Sequence, residues 1–192
     1  NAAVWLTKVR EATGNTVEVD WQPFSLSQIN SDKGDDFKYW EQDEVIDGSD
    51  KTLLAHRAGL AAKRQGKEAF ESFFITLLKA RHEDKKDLMD PEVINDAVRN
   101  SGIDAARFRE DLADPDLLRE IGESHTKAVE EHGAFGVPTF VFPSGNVAFL
   151  KMFIPPVEES ADTYEAVTRL MSDSKYVGEV KRPSPPWPHN VI

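Results

Sequence analysis

The sequence predicts an α/β protein whose sheet-forming segments are separated by a long run of helices. Three observations carry this reading. A helical apolar stripe at the start of the chain runs directly into an alternating segment, "TVEVDW". The middle of the chain repeats amphipathic patterns bounded by glycine and Asp-Pro pairs. Near its end, two apolar runs flank Pro143-Ser144-Gly145-Asn146, a hairpin signal.

In the opening stretch, Ala2, Trp5, Leu6 and Val9 fall at helical spacing, and Gly14 supplies a C-terminal stop. Val17, Val19 and Trp21 then alternate with Glu18 and Asp20, the pattern of a strand with one buried face. A helix followed at once by a strand is the second half of a βαβ unit. A first strand is therefore expected before Asn1, and Val17–Trp21 should border a gap in the sheet or be paired from elsewhere. Without that neighbour the early strand would expose an open edge, which invites association.

Residues 27–49 are polar and read as a connection with one short helix, "FKYWE" being its aromatic island. Tyr39 and Trp40 there suit a hydrophobic latch better than a lid. Helices follow. "KTLLAHRAGLAAKRQG" closes at Gly66, and "KEAFESFFITLLKARH" has the strongest amphipathic pattern in the chain. Asp90-Pro91 and Asp114-Pro115 read as N-caps with proline at the first helical position, and Asp104 as a further cap. After the hairpin, "SADTYEAVTRLM" reads as a helix capped by Ser160, with Tyr164, Val167, Leu170 and Met171 facing inward. The Pro-rich tail containing Trp187 can be neither helix nor central strand.

Composition narrows the function. The 192 residues carry a net charge of -11, which argues against a nucleic-acid surface or an anionic membrane as partner. No apolar run approaches the roughly 20 residues of a membrane-spanning helix, and a cytoplasmic location is the expectation. The chain contains no Cys, hence no thiol nucleophile or disulfide of its own. Nothing resembles a phosphate-binding glycine loop, a Ser-His-Asp set or a catalytic carboxylate pair.

With one strand restored in front, the element order is β-α-β, helical insertion, β-β-α. That is a thioredoxin-like fold with an inserted all-helical domain. Residues 1–26 and 133–175 would form the split α/β domain, 50–132 the helical insertion, and 176–192 the tail. This order, with Phe135-Gly136-Val137-Pro138-Thr139-Phe140 just after a helix, resembles the DsbA family. It is most similar to the FrnE-like and 2-hydroxychromene-2-carboxylate isomerase-like branches. "WQPFSL" and "KARHEDKKDL" are supporting matches, and the likeness covers nearly the whole chain.

The resemblance implies a thiol–disulfide oxidoreductase with a Cys-x-x-Cys pair just before Asn1. It also implies a cis Val137-Pro138 bond beside that pair. Proline makes such a bond affordable, at about 0.5–1 kcal/mol against about 3 for other residues. Val137 would then present its backbone N–H and C=O to an extended peptide or thiol, with Thr139 next to it and Pro138 as a neutral wall near the thiolate. The implied partner is a disulfide or thiol protein substrate. No cofactor is expected beyond a low-molecular-weight thiol, and no metal. Two alternatives share the hairpin and the insertion: a glutathione-dependent isomerase or transferase, and a cysteine-less peptide-binding module.

His82 closes the Phe-rich helix, where a cation suits the helix dipole; by resemblance it could instead overhang the thiol site and stabilise a thiolate or bind substrate. Phe24, at the end of the early strand, is a core residue or a groove-lining one. His125 and His132 lie seven apart on one helical face, with no third ligand spaced for a metal. His56, in "LAHRAG", reads as a half-buried histidine.

Overall fold

In the computed structural model, which describes residues 1–14 and 16–181, the chain divides into two units. One is built from Asn1–Trp21 and the chain from Gly136 onward, the other from Gln22–Phe135. Trp187 and the rest of the tail from residue 182 lie outside the described residues.

The first unit forms around helix α1 (Ala2–Thr13), whose inward face is Ala2, Ala3, Trp5, Leu6 and Val9. Gly14 ends it at φ +65°, and its N–H returns to the Arg10 carbonyl. That left-handed turn is cheap only for glycine. Val17, Val19 and Trp21 pack on α1 together with Phe140 and Tyr164. Glu18 and Asp20 face outward, so the alternation is present. Among the described residues the segment joins no ladder and carries no strand of its own, so the sheet is interrupted beside it, as the missing first strand leads one to expect. Side-chain packing satisfies the alternating pattern, whereas a strand also needs a neighbouring backbone.

The sheet consists of β1 (Thr139–Val141) and β2 (Val147–Phe149), antiparallel with Phe140 opposite Ala148. Phe142 and Asn146 close a three-residue loop in which Gly145 takes φ +84°, the left-handed position this hairpin requires.

Helix α9 (Val157–Thr168) packs against α1. Its start corrects the sequence reading: Pro156 is the cap, and Ser160 lies inside the first turn, fully buried. The Ser160 hydroxyl donates to the Pro156 carbonyl at 2.8 Å, and its own carbonyl accepts the Trp5 indole N–H at 3.1 Å. Beyond Thr168 the helix widens into a π turn, Arg169–Asp173. The changed phase leaves Leu170 at the surface, against expectation.

The second unit is helical among its described residues. It comprises α2 (Leu26–Ile29), a 3-10 turn (Tyr39–Glu41), α3 (Asp43–Ile46), α4 (Leu54–Lys63) and α5 (Lys67–His82). Helices α6 (Pro91–Ser101), α7 (Ala105–Leu112) and α8 (Asp116–His132) complete it. Residues 22–49 group with these helices. Asp90 and Asp104 cap α6 and α7 through their carboxylates. Asp114 also accepts the Asp116 N–H, although α8 begins one residue after Pro115. Tyr39 and Trp40 pack on the cluster of Val45, Leu53, Leu118 and Ile121, which makes this stretch a latch. Gln28 holds it from the other side: its amide donates to the Phe37 carbonyl and accepts the Tyr39 N–H. No helix among the described residues is long and apolar enough to cross a membrane.

Candidate functional site

Val137, Pro138 and Thr139 stand together at the entry to β1. The Val137-Pro138 peptide bond is cis. The Pro138 carbonyl accepts the Leu150 N–H at 3.1 Å, and Phe142 donates to Asn146 at 2.9 Å. An antiparallel ladder engages alternate residues, so Pro138, Phe140 and Phe142 bond toward β2. Val137, Thr139 and Val141 therefore direct their backbone groups away from β2. The N–H and C=O of Val137 have no hydrogen-bond partner among the described residues. The residue is 43 % exposed.

The approach to this edge is tightly built. Gly136 is buried, and a Cβ there would stand 3.2 Å from the Phe149 ring. The Thr139 hydroxyl donates to the Gly136 carbonyl at 2.7 Å, which pins the backbone on both sides of Val137. The site thus offers one free amide donor and one free carbonyl acceptor on a backbone held by its neighbours. Chemically it can pair with an extended chain.

Phe24 and His82 belong to the helical unit. Phe24 is half-buried, its ring 4.5 Å from that of His125, and its carbonyl lies 3.1 Å from His56 Nε2. His82 is the exposed last residue of α5. Its imidazole is held below the ordinary histidine range, first by partial desolvation and further by positive charges that include Lys85 and Arg81.

His125 is buried, and no group of three or more metal-ligating side chains occurs among the described residues. Sequence reasoning missed Ser25. It is fully buried, accepts the Gln28 N–H through its hydroxyl, and donates its own N–H to His125 Nδ1 at 3.3 Å. Its signal was the Ser-x-x-Gln spacing that opens α2.

A family model described as a DSBA-like thioredoxin domain matches residues 2–155, more than half of the chain. No curated protein matches it.

Proposed function

We propose, from the premise that this chain belongs to the DSBA-like thioredoxin domain family, that the intact protein is a thiol–disulfide oxidoreductase with Val137 as its substrate-facing edge. The observation that carries this reading is the backbone of Val137, unpaired and half-exposed where the chain enters β1. An extended substrate segment would donate to its carbonyl and accept from its N–H, a short strand addition. Pro138 and Thr139 flank that contact. Roles for His82 beside a thiolate and for Phe24 against substrate rest on the sequence resemblance alone.

The chemistry requires two thiols, and the 192 residues contain none, so both are assigned to residues preceding Asn1. One thiolate attacks the substrate disulfide, forming a mixed disulfide and releasing a substrate thiolate. The second thiol then attacks the mixed disulfide and releases the other substrate thiol. The substrate gains two electrons and the enzyme pair is left oxidised.

The experiment is to read the sequence encoded immediately before Asn1 and to assay the full-length protein for reduction of insulin disulfides. Cys-x-x-Cys with turnover supports the proposal; an unrelated stretch overturns it. The zero cysteine count motivates a cysteine-less peptide-binding module, and the same edge would also serve a glutathione-using isomerase or transferase in which one Ser or Cys replaces the pair. Saturable glutathione binding by the full-length protein, without disulfide reduction, selects the isomerase or transferase. Peptide binding without either activity selects a cysteine-less binding module.

A further inference from the structure

We propose that His56 and His125 form a proton-sensitive latch that holds residues 23–25 in place only while both imidazoles are neutral. The argument is one of donor and acceptor identity. A backbone N–H can only donate, so the contact from Ser25 N–H to His125 Nδ1 at 3.3 Å requires that nitrogen to be unprotonated. A carbonyl can only accept, so the 3.1 Å contact between Phe24 and His56 places a proton on His56 Nε2. His56 Nδ1 is then the bare nitrogen, and it is sealed from solvent with no hydrogen-bond partner.

A proton has no favourable place on either ring. On His125 it would replace the acceptor of the Ser25 bond with a donor, leaving two N–H groups facing each other. On His56 it would create a buried, unsatisfied, charged N–H, an expensive arrangement. The two histidines come from different helices, α4 and α8, and grip consecutive residues. Ser124, next to His125, adds a third hold through its hydroxyl on the Pro23 carbonyl at 2.8 Å.

Among the described residues no carboxylate acts on either ring. The His125 ring is flanked by Phe24 and Trp40, with centroids at 4.5 and 5.4 Å. Burial lowers its proton affinity first, and the charged or titratable groups that act on it, Lys38 and His56, lower it further. His56 is shifted down by burial, against a smaller opposing effect of the Phe24 carbonyl. The sign follows. Both groups have folded values below the ordinary 6.5. The latch is therefore fully stable above about pH 6.5 and weakens as pH falls through the folded values, because the opened state binds more protons.

This inference does not depend on the redox reading, since it concerns residues of the helical unit alone. The test is amide exchange at Ser25 in the full-length protein between pH 7.5 and 5, with NMR titration of both rings. Ser25 protection should fall below pH 6.5 by up to about tenfold per pH unit for each proton taken up. Trp40 fluorescence should change with the same midpoint. The double variant His56→Gln/His125→Asn keeps a donor and an acceptor but cannot titrate, and should lose this pH dependence. Ser25 protection unchanged across the range, or a transition that survives in the double variant, overturns the latch. Should the double variant fail to fold, the wild-type rings decide: either one titrating at or above 6.5 overturns the proposal.

Discussion

The indole of Trp40 lies so close over Gly122 that a Cβ on that glycine would stand 2.5 Å from Nε1 and 2.7 Å from Cδ1. Trp40 cannot swing aside freely, because it packs on Val45, Leu53, Leu118 and Ile121. Gly122→Ala should therefore destabilise the helical unit by about 1–3 kcal/mol, the usual range for overpacking. Urea unfolding followed by Trp fluorescence measures this. In the Trp40→Phe background the same change should cost clearly less, since the smaller ring leaves room. Equal costs in the two backgrounds would show that the contact is not the cause.

Trp5 is the anchor of the other unit, fully buried between Phe140 and Tyr164. Trp5→Phe keeps most of the apolar contact and loses the bond to the Ser160 carbonyl, which should cost about 1 kcal/mol from that bond. Trp5→Ala removes the whole side chain and should cost about 3–5 kcal/mol. Chemical denaturation of both variants separates the terms, and near-equal losses would contradict this division.

Much of this architecture was legible in local sequence. Gly14, the Asp90 and Asp104 caps and Gly145 act within a few residues of where they stand, and each appears where the pattern put it. At Val17–Trp21 the alternation and the interrupted sheet beside it were both readable, because a helix followed at once by such a segment implies a strand before it. The misreadings involve partners distant in the chain. Ser160 resembles a cap, yet Pro156 begins the helix and Trp5, 155 residues away, uses the Ser160 carbonyl. At the candidate site, the Val137-Pro138-Thr139 edge was readable because it is contiguous. The contact of Ser25 with His125 spans 100 residues, and no spacing rule reaches it.

Arg64 joins three acidic side chains, with contacts to Asp114 at 2.6 Å and Glu120 at 2.9 Å, and Asp111 farther off at 3.9 Å. The Asp114 carboxyl is held below its ordinary value of 3.8, first by the Asp116 N–H and then by Arg64. A depressed carboxylate contributes stability above its unfolded value, and that contribution is lost as pH falls through the folded one. Asp114→Asn keeps the cap oxygen but not the charge. The stability gap between wild type and variant should be open at pH 5 and close below pH 3.8. Thermal melts across that range measure it, and a gap independent of pH would refute the assignment.

Val137 allows the most direct test of the proposed edge, because its donor and its side chain can be removed separately. Val137→Ala trims an exposed side chain and leaves the N–H and C=O in place. Val137→Pro removes the N–H that a substrate backbone would accept from. That N–H makes no bond within the described residues, so its loss deletes no internal hydrogen bond. One net hydrogen bond is worth about 0.5–1.5 kcal/mol, so Val137→Pro should weaken binding of an extended thiol peptide by about two- to tenfold. Val137→Ala should have a smaller effect. Isothermal titration of the full-length variants with such a peptide gives both numbers, and circular dichroism confirms that each remains folded. Undiminished binding by a folded Val137→Pro variant would remove Val137 from the substrate path.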